Sequence, residues 1–140
     1  MKNFKLALFY LCLAYLIGTI VGFITFYIHI SVMWIAMFTI MPIVFGYLFY
    51  RYLIKTECNI SESLKETNLL ILVWILASFL LDAIVYIIIV PIIYGYQSNW
   101  TFFADQSPWI WLNYLALLII GYFGRFYFLR KMETINKNVP

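Results

Sequence analysis

One carboxylate lies in the middle of the most apolar stretch of the chain. Residues 68–96 read NLLILVWILASFLLDAIVYIIIVPIIYGY, and Asp82 is their only charged side chain. A carboxylate within lipid is costly and usually functional, and the chemistry open to it is the binding of a proton or a cation. We expect a neutral, hydrogen-bonded Asp82, because hydrocarbon penalises a charge and no Lys or Arg is predicted at its depth.

Hydroxyl groups are predicted around this carboxyl group. Ser78 and Tyr86 flank Asp82 at i−4 and i+4 of the same helix. A rise of about 1.5 Å per residue places Thr19 and Thr39 of two other helices at the same level. The sequence therefore predicts an intramembrane pocket of these five residues. Two interpretations remain: a proton- or cation-linked binding site or relay, and a carboxyl group that only holds helices together.

A second candidate site is predicted at the outer rim of the membrane. His29, Asp105 and Asn113 could meet there and bind a cation or a polar headgroup. One His and one Asp are too few for a zinc site, so we predict no metal. The competing interpretation gives Asp105 a turn or capping role and makes His29 a solvated turn residue.

Small residues recur along the first apolar segment. Ala14, Gly18 and Gly22 form a small-xxx-small ridge, which lets another helix approach closely. We expect this ridge to pack within the bundle rather than against a second copy.

The composition indicates the environment in which these groups act. Of the 140 residues, 66% are hydrophobic and 11% are charged, whereas soluble domains carry about 25% charged residues. Apolar intervals predict four transmembrane helices, since one crossing takes about 20 residues. Ser31 is predicted to cap the second helix, and the capping-box spacing of Ser63 and Glu66 suggests a start for the third. The predicted helices cover residues 6–27, 32–50, 68–94 and 109–129.

The basic residues predict the orientation. All nine Lys and Arg fall in the N-terminal lead, in a loop at 51–67, or around a tail at 130–140, and none falls in the loop at 96–107. The positive-inside rule makes the first three segments cytoplasmic and the last an outer loop. We therefore predict an all-α integral membrane protein with four helices in two antiparallel hairpins. Both termini are expected to be cytoplasmic, and the location is expected to be a bacterial inner (plasma) membrane.

Motifs exclude more functions than they indicate. The chain has no GxSxG, CxxC, HExxH or P-loop motif, so we expect neither an enzyme nor a cofactor. The basic residues flank apolar segments, which argues against nucleic acid as a partner. The expected partners are the lipid bilayer and either further copies of the chain or a larger membrane subunit.

Three functional hypotheses follow from the sequence. The first is a small transport or ligand-binding component with a protonatable intramembrane carboxylate. The alternative is a non-catalytic interaction, accessory or immunity-type subunit of a membrane complex. A lipid-modifying enzyme with a Trp-rich outer loop is the third, and it needs more interfacial polar residues than the chain offers.

Overall fold

The computed structural model describes residues 1–137, and every regular element in that range is helical. The six α-helices of that range are α1 Phe4–Phe26, α2 Ile30–Lys55, α3 Ile60–Asp82, α4 Val90–Ile93, α5 Phe102–Asp105 and α6 Trp109–Lys137. A seven-residue π-helix, Ala83–Ile89, lies between α3 and α4.

Four stretches of helix are long and apolar enough to cross a membrane. They are Phe4–Phe26, Ile30–Lys55, Ile60–Ile93 and Trp109–Ile135. The third joins α3, the π-helix and α4, and we call it the third spanning helix. The prediction of an all-α chain with four apolar helices is confirmed in this respect, and the structure is compatible with a multi-pass membrane bundle.

At the ends that carry Lys and Arg, the helices extend further than the apolar runs that predicted them. α2 continues to Lys55 and α3 begins at Ile60, so the predicted loop at 51–67 is reduced to a short turn. The described part of the 130–140 tail continues α6 as far as Lys137. Lys, Arg and Glu are good helix formers, and an end outside hydrocarbon can solvate them, so the change in polarity does not end a helix.

The turn after α2 is closed by its backbone. Glu57 has a positive φ of 47°, and the Cys58 amide donates to the Leu53 carbonyl at 3.2 Å. This is the usual way to satisfy the last carbonyls of a helix. Two predicted helix starts are wrong: His29 caps α2 in place of Ser31, and α3 begins after Asn59 rather than near Ser63.

The side chains at one end of the bundle show which helix ends meet. Lys2 Nζ lies 2.8 Å from Glu62, Arg125 Nε donates to Ser63, and Lys131 lies over the Tyr50 ring. We call this end, where the Lys2, Arg125 and Lys131 side chains make these contacts, the basic end. The opposite end, formed by residues 27–29 and 94–108, is called the loop end.

Trp74 is at the centre of the core near the basic end. It is fully buried, and its indole N–H donates to the Ala7 carbonyl at 3.0 Å. Its ring packs on Phe45 and Phe49, with centroid distances of 5.5 and 4.4 Å. One side chain of α3 therefore contacts both α1 and α2.

Glycines permit the closest helix approaches. A Cβ added to Gly124 would lie 2.7 Å from Phe49 Cβ and 3.0 Å from the Gly46 carbonyl oxygen, so α6 touches the backbone of α2. On the predicted ridge, Ala14 is fully buried and a Cβ at Gly18 would lie 3.0 Å from Met41 Cε. A Cβ at Gly22 would contact nothing within 4 Å, so the ridge packs on α2 only in its first two turns.

Gly124→Ala should destabilise the protein by about 1–3 kcal/mol, because the methyl group meets the α2 backbone, which cannot move aside cheaply. Gly22→Ala is the matched control and should be neutral or slightly stabilising, since alanine favours helix and the space is open. Thermal unfolding in detergent measures both. Equal effects of the two substitutions would contradict the close crossing.

Candidate functional site

Asp82 is bound by two tyrosine hydroxyls from other helices. Tyr15 of α1 donates to Oδ1 at 2.8 Å, and Tyr114 of α6 donates to Oδ2 at 2.5 Å. Asp82 is half-buried at the end of α3, so the carboxyl group connects three of the four spanning helices. Each carboxylate oxygen accepts a hydrogen bond from a phenol, and no basic side chain takes part. We call Asp82, Tyr15 and Tyr114 the carboxyl–phenol cluster.

The helix changes form at this carboxylate. The π-helix Ala83–Ile89 begins with the next residue, and π-helical turns are frequent at functional sites. The amide of Asn99, in the loop that follows, donates to the carbonyl of Ile87 at 3.0 Å. The loop end is therefore bound to the irregular part of the third spanning helix.

A cavity opens above the π-helix at the loop end. Its volume is about 500 Å³, and Tyr86, one turn beyond Asp82, is part of its wall. The Tyr86 ring stacks on Phe102 with a centroid distance of 5.1 Å and an interplanar angle of 7°. Tyr86 thus separates the cavity from the carboxyl–phenol cluster. The lining consists of Tyr86, Val90, Pro91, Tyr94, Tyr96, Gln97, Ser98, Asn99 and Phe102.

The structure places some of the predicted pocket residues near Asp82 and others away from it. Ser78 is buried one turn before Asp82. Thr19 lies beside Tyr86, and its hydroxyl donates to the Tyr15 carbonyl at 2.8 Å. Thr39 is exposed and donates to the carbonyl of Ile35 in its own helix, so it gives no hydrogen bond to Asp82.

The two phenols that bind Asp82 were missed by the sequence analysis. Counting the helical rise from the membrane boundary places Gly18 and Leu117 level with Asp82. Tyr15 and Tyr114 lie three residues before these two positions. Residues three apart share a helix face, and a tyrosine spans more than one turn. A search one turn to either side of the carboxylate level would have found both.

A second polar cluster, also missed, lies at the basic end. Ser63, Glu66 and Thr67 are buried, Tyr52 donates to Glu66 at 3.2 Å, and Arg125 donates to Ser63 at 3.0 Å. The spacing of Ser63 and Glu66 suggested a capping box, whereas both lie inside α3 and hold neighbouring helices.

Two charged groups of the N-terminal lead extend this arrangement. The Met1 ammonium group lies 3.5 Å from Glu66, and Lys2 pairs with Glu62. The hydrogen bond that the Lys2 ammonium group donates to the Glu62 carboxylate raises the pKa of Lys2 above its ordinary value. The basic end is therefore held by ion pairs as well as by hydrogen bonds.

Of the three predicted rim residues, His29 and Asp105 make local hydrogen bonds near helix ends, and Asn113 lies within α6. His29 Nδ1 accepts from the Ser31 amide at 3.1 Å. The Thr101 hydroxyl lies 2.8 Å from Asp105 Oδ2, and Asn113 is half-buried in α6. Within residues 1–137 the structure brings no three His, Cys, Asp or Glu side chains into a metal-binding group.

Comparison with protein-family models, with curated proteins and with solved structures finds no significant match.

Tyr15→Phe and Tyr114→Phe should each lower stability by about 0.5–2 kcal/mol, because each removes one interhelical hydrogen bond within an apolar region. Tyr27→Phe is the control, since Tyr27 is 77% exposed at the loop end. Unfolding by a denaturing detergent measures the three variants. If both cluster variants match the control, the hydrogen bonds to Asp82 contribute nothing to the bundle.

Proposed function

We propose that the protein is a small transport or ligand-binding component that takes up a proton or a small cation at Asp82. The carboxyl–phenol cluster carries this proposal: an acid within the apolar bundle has two phenols as partners and no counter-charge among the described residues. Tyr86, one turn beyond Asp82, is part of the wall of the loop-end cavity, and entry from that cavity would require the Tyr86 side chain to move. Acids at such a depth mark ion and proton pathways in membrane proteins.

The hydrogen-bond chemistry of the cluster suits a proton site. The ionised carboxylate accepts from both phenols, as the distances of 2.8 and 2.5 Å describe. After proton uptake the acid can donate to one phenol, whose own hydrogen then turns toward another acceptor, because a hydroxyl both donates and accepts. Loading and unloading a proton would thus require rotation of a hydroxyl and no large movement of helices.

Four helices rarely enclose a complete pathway. A transport role would therefore require further copies of the chain or a larger membrane subunit beside the cluster. In either assembly the proton or cation would still reach Asp82 from the loop-end cavity.

The second candidate is a non-catalytic accessory subunit, and one observation favours it. Both oxygens of Asp82 already have donors within the chain, so the cluster is complete as a connection between helices without any ligand. The two candidates differ in whether a titrating acid is needed or only a hydrogen-bonding group.

Asp82→Asn separates them, because the amide keeps the shape and a hydrogen-bond acceptor but does not titrate. In the wild type, infrared spectra collected as a function of pH should show the C=O band of a protonated carboxylic acid appearing and disappearing. The variant should lack this band and should lose at least tenfold in proton uptake when reconstituted in vesicles. Tyr15→Phe, which keeps the acid, is the control and should retain the titration.

An accessory role predicts other results. Asp82→Asn would then keep all proton uptake or change only the stability of the bundle. Either outcome would refute the binding proposal, provided that size-exclusion chromatography shows the variant to be folded.

We further propose that the helices form two antiparallel hairpins with both termini on the cytoplasmic side of a bacterial inner membrane. The contacts of Lys2 with Glu62 and of Arg125 with Ser63 support this, because they bring the N-terminal lead, the start of α3 and the end of α6 to one end. Basic residues concentrate on the cytoplasmic side of membrane proteins.

Cysteine labelling tests this orientation. The native Cys58 is a poor reporter, because it is 2% exposed and burial raises the pKa of its thiol. In a Cys12→Ser, Cys58→Ser background, Gln97→Cys should react with an impermeant maleimide added outside intact cells. Ser61→Cys, exposed at the basic end, should react only after permeabilisation. The reverse pattern would invert the proposed topology.

A further inference from the structure

A groove runs between α2 and α6 in the half of the bundle near the basic end. Its volume is about 600 Å³, and its surface is mostly apolar. Its side walls are aromatic: Tyr47, Phe123 and Tyr127 are all more than half exposed. The lining consists of Pro42, Ile43, Gly46, Tyr47, Tyr50, Ile120, Phe123, Gly124 and Tyr127.

Two glycines line the floor of the groove. Gly46 and Gly124 lie where α2 and α6 cross, and a Cβ on Gly124 would lie 3.0 Å from the Gly46 carbonyl oxygen, so the two backbones approach closely there. Ile43 and Ile120 extend this apolar floor away from the basic end. A floor of this kind, closed by aromatic walls, fits a flexible hydrocarbon chain better than it fits a helix.

Two cations stand at the end of the groove nearest the basic end, one on each wall. The Arg51 guanidinium carbon lies 5.9 Å from the centre of the Tyr47 ring, and Lys131 Nζ lies 5.9 Å from the centre of the Tyr50 ring. Both rings line the groove. Arg51 belongs to α2 and Lys131 to α6, and each lies over a ring that lines the groove.

Two acidic residues at the basic end are engaged elsewhere. Glu62 pairs with Lys2, and Glu66 pairs with the Met1 ammonium group and Tyr52. Among the described residues, the contacts of Arg51 and Lys131 with charged or aromatic groups are with rings and not with carboxylates. Neither cation forms a salt bridge with a carboxylate of the described residues, so both positive charges are available to an anion.

We propose that this groove binds one anionic phospholipid. Its phosphate group lies between Arg51 and Lys131, and an acyl chain runs along Gly46, Gly124 and Ile120. Arginine binds phosphate oxygens through its planar fork, and basic pockets between membrane helices bind anionic headgroups. The tyrosine hydroxyls of the walls offer further hydrogen bonds to the headgroup. This inference is independent of Asp82, which lies in another part of the bundle.

The charge complementarity gives the test its expected size. Two basic residues near a membrane surface should favour an anionic over a zwitterionic lipid by about thirtyfold in affinity. Purified protein in a neutral detergent is titrated with phosphatidylglycerol or with phosphatidylcholine, and bound lipid is counted by native mass spectrometry. The double variant Arg51→Gln, Lys131→Gln should reduce the preference to less than threefold.

A matched double variant controls for general surface charge. Lys55→Gln, Lys65→Gln removes the same two charges at the same end, from exposed positions outside the groove lining. It should keep the full preference for phosphatidylglycerol. An equal loss in both double variants, or no preference in the wild type, would overturn the proposal.

A second measurement uses only the wild-type protein, so its outcome does not depend on whether a variant folds. Wild-type protein is reconstituted in vesicles of phosphatidylcholine that contain a small fraction of phosphatidylglycerol with a photoreactive acyl chain. Illumination should attach the label mainly to peptides that contain Tyr47 or Phe123. Labelling spread evenly over the exposed faces of α1 and the third spanning helix would overturn the proposed site.

Discussion

The hydrogen bonds from two phenols to one carboxyl group are the interaction on which the loop-end half of the molecule depends. Hydrocarbon offers no hydrogen bonds, so a carboxyl group there must find its partners within the protein. Tyr15 and Tyr114 supply them from α1 and α6, and in doing so they fix the position of both helices against the third. The π-helix begins at the residue that follows this carboxyl group, and the cavity is lined in part by Tyr86 of that π-helix.

The two ends of the bundle are built differently. At the basic end, Trp74 fills the core, and the buried Glu66 is held by hydrogen bonds and an ion pair. The loop end instead has a cavity, a π-helix and the four-residue helix α5. Regions with fewer buried contacts open more readily, and binding elements are drawn from them. A loop end that opens more readily than the basic end would suit the proposed binding of a proton or cation at Asp82.

The fold was predictable from sequence because the bilayer restricts the choices. Four apolar runs, each long enough to cross a bilayer, indicate four transmembrane helices. The ends of these helices are harder to predict, because polar residues such as Lys55 favour helix without lying in lipid. The site was only partly predictable. Asp82 was identifiable because it is a carboxylate within an apolar run. Counting the helical rise placed Thr19 and Thr39 at its level but did not indicate Tyr15 and Tyr114. Spacing records which residues share a face, and it does not record how far a side chain reaches.

The π-helix also alters the rotational phase of the third spanning helix. Each of its hydrogen bonds encloses one residue more than in an α-helix, and one surplus residue corresponds to about 100° of rotation. Counting at α-helical spacing from Asp82 therefore does not identify the residues beyond Val90 that lie on the same face as Asp82. Deleting a single residue between Ala83 and Ile89 would restore that count and would turn Pro91 and the whole loop end to a new azimuth, while the apolar profile of the sequence stayed almost unchanged.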